Sequence, residues 1–209
     1  MNPEKNMIEE LKAQLPVLNL LRQFFLKEPE KEFLKQLSQI PLEAAEEEGL
    51  EGLRLMRDSV RRNSHRLDEW VDQLSLEFAR LFLGPVHAPA IPYASFYLSE
   101  TRSLMTEETL EVRKRYLEAG LALKNLYSIP DDHIGIELEF IYYLTKEILQ
   151  LNESNREKEA LKLYQIRQDF LKDHMALWVP SFAQKVVDST QEDFYKGAAF
   201  FLREMVEYQ

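Results

Sequence analysis

Hydrophobic residues recur at three- and four-residue steps along most of the chain, which is the pattern of amphipathic helices with one buried face. The clearest series covers residues 67–82, and further series run through 134–148, 160–171 and 194–206. No stretch alternates polar and apolar residues for long enough to predict a strand. The pattern therefore predicts an all-α protein.

Proline and glycine divide the helical pattern into segments. Pro16 is expected to bend or end the first helix, Pro29 and Pro41 stand near the starts of the next two, and a Gly-Pro pair ends the helix over 67–83. Counting these segments, we expect residues 1–209 to form a single-domain bundle of roughly eight to ten helices.

One long segment, residues 84–97, lacks helical periodicity and carries three prolines among apolar residues. Disordered segments are polar, so this composition predicts an ordered apolar loop. Such a loop either packs on the core or forms the wall of a groove for an apolar peptide. If the domain divides, the 85–97 loop would join an N-terminal subregion, 1–84, to a C-terminal subregion, 98–209.

Composition narrows the classes of function. The chain carries 26 Lys and Arg against 36 Asp and Glu, a net charge of −10, which opposes binding to a phosphate backbone. It has no cysteine, which excludes disulfides, Cys-ligated zinc, iron–sulfur clusters and thiol catalysis. No apolar run approaches a membrane span, and the first ten residues lack a signal-peptide pattern. We therefore expect a cytoplasmic protein without nucleic-acid partners or stable membrane insertion.

The usual catalytic motifs are absent from the sequence. It contains no phosphate-binding glycine loop, no dinucleotide fingerprint and no His-Glu-x-x-His motif. The four histidines, at positions 65, 87, 133 and 174, have no metal-ligand spacing to one another. We therefore predict no catalytic residues, no cofactor and no metal.

One polar cluster is unusual: Asp131, Asp132 and His133, with Glu137 four residues further on. In the simplest interpretation, Asp131 or Asp132 caps a helix that begins near His133. His133 and Glu137 then share a helix face as a surface ion pair. The cluster could instead receive cationic groups. In a third interpretation, Asp132, His133 and Glu137 form the acid–base or metal site of an all-α enzyme.

Three motifs stand in a fixed order along the chain. The first is Leu-Phe-Leu-Gly-Pro at 81–85, continued by Pro-Tyr-Ala-Ser-Phe-Tyr at 92–97. The second is Ile-Pro-Asp-Asp-His at 129–133 with a downstream Glu-Leu, and the third is Phe-Leu-x-x-His-x-x-x-Trp at 170–178. In this order and spacing, residues 65–209 resemble the TorD/DmsD family of redox-enzyme maturation chaperones, to which the NarJ group is related.

The resemblance implies an all-helical protein that is not an enzyme. Members of this family bind the twin-arginine leader of a partner oxidoreductase, usually one that carries a molybdopterin cofactor. They hold the enzyme until its cofactor is inserted and so prevent premature export. An acidic chain with an apolar groove would complement a leader, which has a basic region followed by an apolar one.

The resemblance also implies a leader-binding site. Asp132 would face a leader arginine, His133 would support it by hydrogen bonding, and an apolar wall would include Tyr93. Ala94 stands where related chaperones often have glycine. The full set of implied leader-binding residues is Phe78, Leu81, Phe82, Pro92, Tyr93, Ala94, Ser95, Asp132 and His133.

Two further points stay open at the level of sequence. The chain could be a helical adaptor without a preference for leaders. It could also be a monomer or a domain-swapped dimer, with residues 84–97 as the hinge.

Overall fold

The computed structural model describes residues 3–40, 50–83, 88–122 and 129–207 of the chain. Within these ranges the chain is helical and contains no strand, which confirms the predicted all-α class. None of the described helices is both long and apolar enough to cross a membrane. The α-helices are α1 (Pro3–Leu26), α2 (Lys31–Ser38), α3 (Glu51–Arg62), α4 (Leu67–Phe78), α5 (Ala94–Leu98), α6 (Glu107–Glu118), α7 (Ile134–Glu153), α8 (Glu157–Phe170), α9 (Ala176–Ser189) and α10 (Asp193–Glu207).

Shorter helical turns lie between some of these elements. A 3₁₀ turn, Ser64–Arg66, precedes α4, and a π-helical turn, Ala79–Leu83, follows it. A second π-helical turn, Leu171–Met175, follows α8. Such wide turns are frequent at functional sites.

The structure differs from the local predictions at two places. Pro16, which was expected to bend or end the first helix, lies inside α1 and does not end it, because the helix buries apolar residues on both sides of the proline, including Leu11 and Leu18. Their burial outweighs the one hydrogen bond that proline removes. Residues 94–98 form α5 and do not continue the loop. The start of the helix expected at Pro41 and the first residues of the loop lie outside the described ranges.

The chain forms two compact units, each of which combines an early and a late segment. Unit 1 comprises Met1–Leu26 and Tyr93–Met175, and unit 2 comprises Lys27–Pro92 and Ala176–Gln209. The division into subregions 1–84 and 98–209 therefore stays a prediction about domains and does not describe these units.

Unit 1 is built around α7, which packs against α1 and α8. Three aromatic rings fill the space beside α7: the centroid of Phe140 lies 4.5 Å from that of Tyr116 and 4.9 Å from that of Phe170. Aromatic pairs at this separation add to the stability that their burial provides. This aromatic cluster supports the first turns of α7, where the candidate site lies.

Unit 2 is built around α10, which packs against α3 and α9. Gly52 and Gly197 lie where α3 meets α10, and a Cβ atom on Gly52 would stand only 2.5 Å from the carbonyl oxygen of Gly197. Glu204 extends from α10 to the start of α3, where both of its carboxylate oxygens lie 3.3 Å from the amide nitrogen of Gly52. Burial raises the pKa of Glu204 to about 7, although the Gly52 N–H lowers it.

We expect Glu204 to make unit 2 less stable as the pH rises from about 4.5 to about 7. The folded state holds the proton of Glu204 more tightly than the unfolded chain, so folding is favoured at the acidic end of this window. Glu204→Gln keeps an uncharged acceptor for the Gly52 N–H. The free energy of unfolding should then differ between pH 5 and pH 8 by about 2 kcal/mol less than it does in the wild type. Urea unfolding at pH 5 and pH 8, followed by tryptophan fluorescence, measures it.

Tryptophan fluorescence is the appropriate probe because both tryptophans, Trp70 and Trp178, are buried in unit 2. Glu69→Gln is the matched control, since Glu69 is exposed on the same unit. A pH dependence that is the same in the Glu204→Gln variant and in the wild type would contradict the assignment.

Candidate functional site

The turn before α7 and the residues before and within α5 lie against each other in unit 1. The main-chain oxygen of Asp132 accepts a hydrogen bond from the Ala94 amide at 2.9 Å, and its carboxylate Oδ2 accepts one from the Ser95 amide at 2.8 Å. Tyr93 and His133 form an isolated antiparallel bridge, and their ring centroids are 5.0 Å apart. The structure thus brings together five of the nine predicted site residues.

Asp132 caps α5 and not α7. Its two acceptors satisfy consecutive amides at the start of α5, which explains why residues 94–98 are helical. The prediction that Asp131 or Asp132 caps α7 was therefore wrong. The carboxylates of Asp131 and Asp132 both bind groups other than the α7 amides. The pairing between residues 93–95 and 131–133 could not be predicted from local spacing, because the two segments are far apart in the sequence.

The Asp132 carboxylate is buried and only partly satisfied. Its side chain is 0 % exposed, and within the described ranges neither its Oδ1 nor the neighbouring Ser95 Oγ has a hydrogen-bond partner. Burial raises the pKa of the half-buried Tyr93 hydroxyl, and the charge of Asp132 raises it further. An acceptor left unpaired inside a protein costs free energy, which a donor from water or from a ligand would recover.

His133 is the N-cap of α7. Its Nδ1 accepts a hydrogen bond from the Gly135 amide at 3.1 Å, and its side chain is 8 % exposed. Burial lowers the pKa of His133 to about 4, even though the charge of Asp132 acts in the opposite direction. The ring is therefore neutral at physiological pH.

Asp131 differs from Asp132 because it has a cationic partner. The guanidinium of Arg113 donates two hydrogen bonds to Asp131 Oδ2, at 3.1 Å and 2.5 Å. The Asp131 main-chain oxygen accepts a further bond from the Tyr116 hydroxyl at 2.8 Å. These bonds hold the turn in place, so two neighbouring aspartates have different tasks.

Glu137 pairs with His174 and not with His133. Glu137 is 0 % exposed, and its Oε1 lies 2.6 Å from Nε2 of His174 in the second π-helical turn. The predicted surface pair was wrong because Glu137 points into unit 1. The contact between Glu137 and His174 was not predicted, although both residues belong to the motifs described above. Among the described residues, no three side chains of His, Asp or Glu are arranged to hold a metal.

The four remaining predicted site residues lie in unit 2. Phe78 ends α4, Leu81 and Phe82 lie in the first π-helical turn, and Pro92 ends the first segment of the unit. All four are buried, and the Phe82 ring packs 5.1 Å from Phe78. The structure therefore assigns these four residues to a different unit from Asp132 and His133.

The sequence matches known proteins over the part that contains the site. Residues 42–184 match the family described as nitrate reductase delta subunit. The chain is 30% identical over 145 residues to the chaperone protein TorD of Vibrio parahaemolyticus serotype O3:K6, and 31% identical over 145 residues to that of Vibrio atlanticus. It is 31% identical over 130 residues to TorD of Photobacterium profundum.

These alignments cover 69%, 69% and 62% of this chain, and 66%, 66% and 59% of the respective relatives. The chain thus spans just under two thirds of the length of the two Vibrio relatives and a smaller share of the Photobacterium relative. The relatives are named as chaperones, in agreement with the expectation that this chain is not an enzyme.

Proposed function

We propose that this chain, which belongs to the nitrate reductase delta subunit family, is a maturation chaperone for a molybdopterin-containing oxidoreductase. It would bind the twin-arginine leader of that enzyme in the cytoplasm, hold the enzyme during cofactor insertion and prevent premature export. The relatives named TorD support the chaperone class. The leader and the client are our proposal.

The observation that carries this proposal is the half-satisfied carboxylate of Asp132. Asp132 Oδ2 accepts the Ser95 N–H, whereas Oδ1 is buried without a donor in the described part of the chain. A leader arginine supplies N–H donors that form strong, charge-assisted bonds with a carboxylate. Asp132 has no exposed surface, so the residues around it would have to move for the donor to enter.

The net charge of −10 supports the same partner. A basic leader is drawn toward an acidic protein, which mainly raises the association rate and weakens with salt. The leader-binding role of four buried residues of unit 2 stays a prediction that rests on the resemblance alone. Any loss of leader binding in their variants must be separated from a loss of stability. These residues are Phe78, Leu81, Phe82 and Pro92.

The proposal is tested by calorimetric titration with synthetic twin-arginine leaders from the source genome, at low and moderate salt. We expect saturable binding of one leader, and at least about tenfold weaker binding by Asp132→Asn. Asparagine can still accept the Ser95 N–H, so α5 keeps its cap while the charge is lost. Asp132→Ala loses the cap as well and should also lower stability.

Asp173→Asn is the matched control, because Asp173 is exposed on unit 1 and its replacement changes the net charge equally. If Asp132→Asn binds the leader as tightly as the wild type, Asp132 is not part of the site. Equal binding of a leader and of its version with both arginines replaced by lysine would instead indicate a general helical adaptor.

A further inference from the structure

A cavity of about 380 Å³ lies in unit 2 where α3 meets α10, and the proposed function does not use it. Arg54 of α3 and Arg203 of α10 line this cavity together with the apolar side chains of Leu55 and Phe200. An apolar wall combined with a few charged groups is typical of binding sites for small ligands. This α3–α10 cavity is therefore a candidate site of its own.

Both arginines of the cavity have N–H donors without acceptors. The Arg203 guanidinium lies over the Phe200 ring, 5.5 Å from its centroid, which fixes its position. Its Nε is buried and has no hydrogen-bond partner within the described ranges, since Oε2 of Glu207 lies 3.8 Å away, beyond hydrogen-bond distance. Arg54 is exposed and forms no hydrogen bond or ion pair in the described part of the chain. An acceptor placed in the cavity would recover the free energy that the buried N–H loses.

The acidic groups at the cavity leave these donors free. Asp58 Oδ1 accepts a hydrogen bond from Nη2 of Arg57 at 3.1 Å. The Glu204 carboxylate is held by the Gly52 amide, and Glu51 is exposed. In the described structure none of these three carboxylates forms a hydrogen bond with either arginine of the cavity. The donors are thus available to an anion from outside the chain.

A carboxylate fits these donors better than a phosphate does. A guanidinium presents paired N–H groups at the spacing of the two oxygens of a carboxylate, and such bonds are charge-assisted. A phosphate monoester carries roughly two negative charges, so Glu51 and Asp58 would repel it more strongly. Leu55 and Phe200 give the body of a ligand an apolar surface. The chemistry of the cavity favours one carboxylate on an apolar or aromatic body.

We propose that the α3–α10 cavity binds a carboxylate carried by an apolar or aromatic group, with Arg54 and Arg203 as its donors. A small carboxylic acid and the C-terminus of a peptide share this chemistry. The proposal does not depend on the leader, because the proposed leader contact involves cations and Asp132 belongs to unit 1. The cavity is then a second ligand site with the opposite preference for charge.

Two probes with neutral controls test this chemistry on the full chain. Phenylacetate is compared with phenylacetamide, which has the same size but no charge. A short apolar peptide that ends in phenylalanine is compared with its C-terminal amide. ¹H–¹⁵N NMR titration should show saturable binding of phenylacetate with a Kd on the order of 1 mM, and at least about tenfold weaker binding of phenylacetamide. Tighter binding of the free peptide would identify chain ends as the ligand, and binding of phenylacetate alone would identify small acids.

Substitution of the two arginines tests where the probe binds. Arg54→Gln and Arg203→Gln should each weaken phenylacetate binding by at least about fivefold, because each removes a charge-assisted donor. Arg61→Gln is the matched control, since Arg61 is exposed on α3 and does not line the cavity. Urea unfolding followed by tryptophan fluorescence separates a loss of binding from a loss of stability. Arg54 has no partner in the described structure, so Arg54→Gln should unfold like the wild type.

Protonation of Glu204 gives the site a further signature. The charged groups that act on Glu204 are Glu51 and Arg54 from α3 and Arg203 from its own helix, and among the described residues α9 adds no charged side chain to the cavity. A bound carboxylate repels ionised Glu204 but not the neutral form. The pKa of Glu204 is about 7, whereas phenylacetate stays ionised down to about pH 6. Binding should therefore tighten by about fivefold from pH 8 to pH 6, and Glu204→Gln should bind equally at both.

Three results would overturn the proposal. The first is that neither charged probe binds more tightly than its neutral control. The second is wild-type affinity in both Arg54→Gln and Arg203→Gln, and the third is a wild-type affinity that does not change between pH 8 and pH 6. None of these measurements involves a leader, so this proposal and the proposed function can fail separately.

Discussion

Replacing His174 with alanine is expected to lower the free energy of unfolding of unit 1 by about 3–5 kcal/mol. The reason is the position of its partner: Glu137 is completely buried, and its Oε1 lies 2.6 Å from His174 Nε2. The variant removes a hydrogen-bonding partner from a carboxylate that water cannot reach. It also removes the imidazole that packs 4.9 Å from the Phe170 ring, which leaves a cavity.

Urea unfolding followed by far-UV circular dichroism measures this loss, because the tryptophans lie in the other unit. Glu137→Gln should cost only about 1 kcal/mol, since its amide oxygen still accepts a hydrogen bond and no charge is left in the interior. In a Glu137→Gln background, His174→Ala should cost less than it does in the wild type. His65→Ala is the matched control at an exposed position. A His174→Ala loss no larger than that of His65→Ala would contradict the role of the pair.

The fold class could be predicted from the sequence because the spacing of apolar residues within each helix indicates which of its faces is buried. In α4 and α10 the three- and four-residue spacing places the apolar side chains on one face, and the structure buries that face. Pro16 shows the limit of local rules, because packing on both sides of it sustains α1. The short helix α5 shows the same limit, because its cap comes from Asp132, far along the chain.

The candidate site could be predicted only as a set of residues, not as an arrangement. The motifs identified Asp132 and His133 together with residues 93–95, and the structure brings these residues together. The role of each atom was not predictable, because it depends on contacts between segments about 40 residues apart, a separation that spacing does not encode. The same reason accounts for the unpredicted pair of Glu137 and His174.

These contacts give the site a common physical basis. Asp131, Glu137 and His174 are paired, so their polar groups stabilise the fold. Asp132 is only half satisfied, and His133 has one nitrogen occupied. Under the proposed function, a leader would recover free energy mainly at the unpaired oxygen of Asp132, and the paired groups around this residue keep it in position.

Replacing Gly52 with alanine is expected to destabilise unit 2 by about 3 kcal/mol or more. The added Cβ would lie 2.2 Å from the main-chain nitrogen of Phe201 and 2.5 Å from the Gly197 oxygen. These are backbone atoms, so the clash is relieved only if α3 and α10 separate. Separation would also break the contact between Glu204 and the Gly52 amide. Urea unfolding followed by tryptophan fluorescence measures the loss.

Gly120 provides a control in which the glycine is needed for a different reason. It lies in unit 1, so its variants are followed by far-UV circular dichroism. Its φ is +75°, and nothing lies within 4 Å of a Cβ built there, so Gly120→Ala should cost only about 1 kcal/mol, through backbone strain. Asparagine tolerates positive φ, so Gly120→Asn should recover part of that loss, whereas Gly52→Asn should be worse than Gly52→Ala. The opposite outcome at Gly52 would be a small loss of stability in Gly52→Ala and a smaller one in Gly52→Asn. It would show that backbone conformation, and not the close approach of α3 and α10, requires glycine there.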